Sequence, residues 1–96
     1  MPRREVFVIT YDIRDDKRRL RVARLLARYG DRVQYSVFEA QLSPGEWRRL
    51  RQRLLRQMDE AEDSVRVYRL CERCRARVEV LGRGQPPEPV PEICLL

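Results

Sequence analysis

Three aspartates, Asp12, Asp15 and Asp16, follow directly on the apolar run Val6-Phe7-Val8-Ile9-Thr10-Tyr11. Asp12 closes that run, which fixes a carboxylate at the end of a strand. Asp15 and Asp16 have a plainer use as caps for a following helix. One carboxylate is a sparse magnesium site, because Mg²⁺ takes octahedral oxygen ligands, often one or two carboxylates with waters and phosphate. A two-fold axis near Asp12 would bring a second copy to the same ion. A metal held there activates a water or clamps a phosphate, and arginines nearby neutralise developing charge. The bland alternative is an aspartate that only turns the chain.

Histidine is absent, which removes the commonest general base, metal ligand and pH switch. Catalysis would have to use carboxylates, water, arginine or a metal. Ser36 has no histidine or neighbouring lysine to activate it, so it reads as a strand-bend or hydrogen-bonding residue. The cysteines are Cys71, Cys74 and Cys94. Cys71-Glu72-Arg73-Cys74 has C-x-x-C spacing, but a zinc site needs four ligands, so a second copy or Cys94 would have to contribute. A thioredoxin-type pair sits at a helix start, whereas this one falls between two strand-like segments. Two ordinary turn cysteines are the first reading.

The chain has 96 residues, one domain's worth, and carries 21 basic against 15 acidic residues for a net charge of +6. All but one of the basic residues are arginine; the exception is Lys17. Arginine's planar fork matches phosphate oxygens bidentately, so a polyanion is the expected partner. Compositional bias in the host would enrich arginine as well. Three cysteines and no signal-like start fit a cytoplasmic setting. No apolar run approaches the roughly 20 residues that cross a bilayer, so no membrane association is expected.

The elements that must position these groups follow from periodicity. The Val6–Tyr11 run is short and β-branched, as in a strand buried on both faces. A helix is expected over 16–29, capped by Asp15 and stopped by Gly30 as its C′ residue. On it Leu20, Val22, Ala23, Leu26 and Ala27 share one side, with Arg21, Arg24 and Arg28 opposite. Arg19 falls inside the apolar arc, so it either snorkels from the core edge or points at a site. Residues 31–42 alternate as one bent strand or two short ones breaking near Ser36. Ser43-Pro44-Gly45-Glu46 is a capping box with proline at the first helical position. It opens a helix to about Met58 with Trp47, Leu50, Leu54 and Met58 inward and Arg48, Arg49, Arg51, Arg53 and Arg56 elsewhere. An acidic linker, 59–63, leads to a strand over 64–70, a turn over 71–75 and a further strand over 77–81.

The order is that of an α+β, ferredoxin-like βαββαβ sandwich, with two helices on one face of an antiparallel sheet. Residues 1–82 form this domain, and 83–96 are a Pro-rich arm ending in an apolar strand, Ile93–Leu96. The arm is expected to pair with a sheet edge, preferably on a second subunit, which makes a homodimer.

The segments Val6-Phe7-Val8-Ile9-Thr10-Tyr11-Asp12-Ile13, Asp15-Asp16, Arg19-x-Arg21-Val22, Tyr29-Gly30 and Arg32-Val33-Gln34-Tyr35-Ser36-Val37-Phe38-Glu39 resemble the CRISPR-associated protein 2 family of small adaptation proteins. The resemblance spans about residues 5–82, including the cysteine-containing turn. It implies a ferredoxin-like homodimer that bridges two dimers of the CRISPR integrase and holds duplex prespacer DNA during spacer acquisition. It also implies metal-dependent endonuclease activity, on single-stranded RNA or double-stranded DNA, in some members. The metal-binding aspartate of that motif falls on Asp12, with Mg²⁺ the expected ion. The supporting positions fall on Tyr11, Arg19, Arg21, Arg32 and Phe38. Phe38 reads equally as core or dimer packing, and Tyr11 as a residue filling the sheet face. The competing expectation is a non-catalytic ferredoxin-like module for nucleic-acid binding or regulation.

Overall fold

The computed structural model describes residues 3–90. Its elements run β1 (Glu5–Asp12), α1 (Asp16–Ala27), β2 (Asp31–Gln34), β3 (Val37–Leu42), α2 (Pro44–Gln57), β4 (Ser64–Leu70) and the single turn α3 (Glu72–Arg75). The four strands form one sheet in the order β2-β3-β1-β4, antiparallel throughout. This is the ferredoxin-like α+β arrangement that the order of elements implies.

The register places Phe7, Ile9 and Tyr11 of β1 beside Ala40 and Phe38 of β3 and Arg69, Val67 and Val65 of β4. Their side chains meet Val22, Ala23, Leu25 and Leu26 of α1 and Leu50 and Leu54 of α2 in one core. Trp47 packs at its edge, stacked 5.2 Å from Phe7. β1 is buried on both faces only at its start, where Val6 is as enclosed as Phe7; Val8 and Thr10 on the open face are half-buried.

The caps form as the sequence dictates. The Asp15 side chain accepts from the Arg18 N–H at 2.8 Å. Ser43 and Glu46 exchange both bonds of the capping box. The break at Ser36 separates β2 from β3 through a Tyr35–Ser36 turn.

Several expectations are corrected. In α1 the buried set is Val22, Ala23, Leu25 and Leu26, while Leu20 is half exposed and Ala27 exposed. The buried arc is turned toward Leu25, so Leu20 and Ala27 fall together on its flank. Gly30 is not a left-handed cap: α1 ends on Arg28 in a right-handed conformation, and the positive-φ glycines among the described residues are Gly82 and Gly84. Gly30 is instead the point where the chain passes β3, with no room for a side chain. A Cβ there would stand 2.2 Å from the Glu39 carbonyl oxygen.

Residues 77–81 do not form a strand. Arg77 and Val78 donate back to the carbonyls of Cys74 and Arg75, continuing the α3 turn. The chain then crosses the open face of the sheet. Pro87 is buried there; its carbonyl accepts from Arg75 at 2.9 Å, and that of Glu88 accepts from Gln41 at 3.2 Å. The described part of the arm thus lies on its own subunit. The expected terminal strand, Ile93–Leu96, falls outside the described residues. No helix among the described residues is long and apolar enough to cross a membrane.

Candidate functional site

Asp12 is the last residue of β1, opposite Ser64 of β4, and its side chain is exposed. It makes no hydrogen bond or ion pair among the described residues, which leaves its oxygens free for an external partner. Burial of Tyr11 and Ile13 on either side fixes where this carboxylate stands.

The loop that follows is pinned from α1. Arg19 donates to the carbonyls of Ile13 and Arg14 at 3.0 and 3.2 Å and pairs with Asp16. The Arg19 guanidinium thus turns back and ties down the loop beside Asp12. Asp16 is consequently paired, and Asp15 is engaged as a cap. The Arg18 N–H beside Asp15 holds that carboxyl below its ordinary range.

A second tie was not legible in the sequence. Asp63 is buried, and its carboxylate accepts from Arg18 Nε at 2.9 Å, Arg18 Nη2 at 3.2 Å and the Asp59 N–H at 2.8 Å. The Arg18 guanidinium keeps the Asp63 carboxyl below its usual value. Asp63 directly precedes Ser64, the partner of Asp12, so this pair joins the first turn of α1 to the strand end that carries the candidate carboxylate. The only sequence signal was an acidic linker, where Asp63 is one of four acids.

Tyr11, Arg32 and Phe38 come together on the helix-facing side of the sheet. The Tyr11 hydroxyl donates to the Tyr35 carbonyl at 3.2 Å and receives Arg32 Nη2 at 3.4 Å. Arg32 lies 5.3 Å from the Phe38 ring centroid and 5.9 Å from that of Tyr35, a cation–π setting. Phe38, 2% exposed and stacked on Tyr11, belongs to the core. Its service to a site is to hold Arg32 and Tyr11. Arg21 is exposed on α1 and shares no contact with this cluster among the described side-chain bonds.

For magnesium, the strand end of one chain presents one free carboxylate among the described residues, Asp12. No group of three or more potential ligands converges among the described residues. The donor set therefore suits an ion held through one or two carboxylates, with water and phosphate completing the shell. It does not suit a cage built by a single chain.

The outer faces of α1 and α2 carry Arg21, Arg24, Arg28, Arg48, Arg49, Arg51, Arg53 and Arg56, all exposed. Arg53 reaches across to the Tyr29 hydroxyl at 2.8 Å and ties α2 to the chain just beyond α1. The opposite face of the sheet is polar and apolar by turns. Val8, Val37 and Glu39 are half-buried, Tyr68 is half exposed, and desolvation raises the Glu39 pKa, aided by Asp31.

Comparison with known proteins gives a consistent result. Residues 5–78 match the family model described as CRISPR associated protein Cas2. The chain is 47% identical over 91 residues to the CRISPR-associated endoribonuclease Cas2 1 of Chloroflexus aurantiacus, covering 94% of this chain and 98% of that one. The crystal structure of a hypothetical protein from Thermus thermophilus superposes with a TM-score of 0.79 at 42% identity, over 88% of this chain and 99% of the other. A chain of a partial Cas6-RT-Cas1–Cas2 complex superposes with a TM-score of 0.71 at 30% identity, over 80% and 90%.

Proposed function

The chain belongs to the CRISPR-associated Cas2 family, and from that premise we propose that two copies form the scaffold on which a Cas1-type integrase and a prespacer duplex assemble during spacer acquisition. The observation that carries the reading is the division of the surface. Arginines crowd the helical face, while on the open face, part of which the chain's own arm covers, Tyr68 stays half exposed for a second subunit to meet. The dimer bridges two integrase dimers, and DNA lies along its arginine-rich surface. Contacts of this kind read the phosphate backbone and not the sequence.

We further propose that Asp12 supports metal-dependent phosphodiester cleavage, of single-stranded RNA or of duplex DNA, as an accompanying activity. Asp12 of each subunit would hold Mg²⁺, which when bound supplies Lewis acidity and an activated water. The remaining work falls to the chain itself. Arg19 keeps the 13–16 loop closed beside the carboxylate. Arg32, oriented by Tyr11 and Phe38, offers its remaining N–H donors to a phosphate oxygen. Arg21 contributes positive charge from the exposed side of α1.

Sedimentation of the chain alone, and with a Cas1-type integrase and a labelled duplex, tests the scaffold. A dimer that recruits both, with duplex affinity falling about as the 0.9 power of salt per phosphate neutralised, is expected. A monomer, or a dimer indifferent to both, overturns it.

A further inference from the structure

The C-x-x-C segment has a different setting from the one its sequence implies. It does not lie between strands. Cys71 is the N-cap of α3 and Cys74 sits one turn into it, the turn being closed by the Arg75 N–H donating to the Cys71 carbonyl at 2.8 Å. In helical geometry such positions lie about 5 Å apart between Cα atoms, within the roughly 4.4–6.8 Å that a disulfide spans. Both thiols are free and exposed. Arg73 and Arg77, also exposed, flank them.

We infer that Cys71 and Cys74 form a thiol–disulfide exchange site, with Cys71 attacking and Cys74 resolving, that accepts an anionic small-molecule disulfide of the glutathione type. In the first step the Cys71 thiolate attacks one sulfur of the small disulfide. A Cys71–S bond forms, the S–S bond breaks, and one thiolate leaves. The Cys74 thiolate then attacks Cys71 Sγ, forming the internal disulfide and expelling the second thiolate. The two protons released by the cysteines end on the two leaving thiols, so one disulfide is exchanged for another.

The environment separates the two roles. Cys71 stands at the start of the turn and Cys74 within it, and their pairing holds the Cys71 thiol below its ordinary value while pushing Cys74 up. The thiolate is the nucleophile in such exchange, so Cys71 is the entry point. The closed disulfide would lock the turn from which Arg75 grips Glu72 and the Pro87 carbonyl, and so stiffen the joint between the sheet and the arm.

The test uses the full chain with Cys94→Ser, so that the third thiol takes no part. The protein is equilibrated with oxidised and reduced glutathione, acid-quenched and weighed intact. The expected product has lost two hydrogen atoms, carries no adduct, and stays a single chain on a non-reducing gel. Adding Cys74→Ser traps one glutathione on Cys71, and this forms several-fold faster than the adduct on Cys74 in the Cys71→Ser protein. Stable adducts on both cysteines without an internal disulfide, a disulfide between chains, or equal rates at the two positions would each overturn the inference.

Discussion

Replacing Gly30 by alanine separates two opposed physical effects. The residue has no positive φ, so on backbone grounds alanine would stabilise the protein by about 0.4–1 kcal/mol, through a less flexible unfolded chain. The packing points the other way. An added Cβ would stand 2.2 Å from the Glu39 carbonyl oxygen, 2.7 Å from Ala40 Cβ and 2.8 Å from Ala40 Cα. Carbon–oxygen contacts normally rest near 3.3 Å or more, so β2 and β3 must part by about an ångström. None of the three atoms belongs to a flexible side chain. The nearest ladder position, Asp31 opposite Glu39, gives way first. Overpacking costs about 1–3 kcal/mol, and loss of part of a four-residue strand puts this case at the upper end. At roughly 4–8 °C per kcal/mol for a domain of this size, the melting temperature should fall by about 10–20 °C. Thermal melts by circular dichroism at one fixed protein concentration read this out, since the proposed dimer would make the midpoint concentration-dependent. An unchanged or raised midpoint would refute the close-approach reasoning.

Ser43→Ala removes one half of the capping box of α2 and should lower stability by about 1 kcal/mol, seen as a lower urea midpoint with an unchanged slope. Asp63 carries a pH signature. Its carboxyl is held below the ordinary value when folded, so its stabilisation is complete above the unfolded value, near 4, and fades as pH falls through the lower folded one. Acid titration of stability should therefore be steeper below about pH 4 in the parent chain than in Asp63→Asn. Parallel curves would mean that the Arg18 pair contributes nothing.

Local chemistry was legible where it is self-contained. Ser43 and Glu46, Asp15 and the break at Ser36 depend on neighbours within a few residues, and each forms as the sequence reads. Features that depend on distant partners were not. Arg77–Leu81 alternates like a strand, but alternation supplies no partner for the ladder, and the turn begun at Cys71 claims its first N–H groups. Leu20 and Leu25 are equally apolar; which arc of α1 faces the sheet decides which is buried. Asp63 looks like its acidic neighbours until Arg18, 45 residues earlier, folds onto it. Of the candidate site, Asp12 drew attention through its place at a strand end and Arg19 through its odd place on the helix, and the other residues through the family resemblance. The division of labour among them, with Arg19 tying a loop and Phe38 holding Arg32, needed the fold.

Cleavage and binding measured side by side test the central claim most directly. The purified protein and its Asp12→Ala variant are each given labelled single-stranded RNA and duplex DNA, with Mg²⁺ or with EDTA. The account predicts salt-sensitive duplex binding that survives the substitution, and cutting that requires both the metal and Asp12. Cutting that persists in the Asp12→Ala protein, or duplex binding that disappears with Asp12 while the fold is kept, would contradict it.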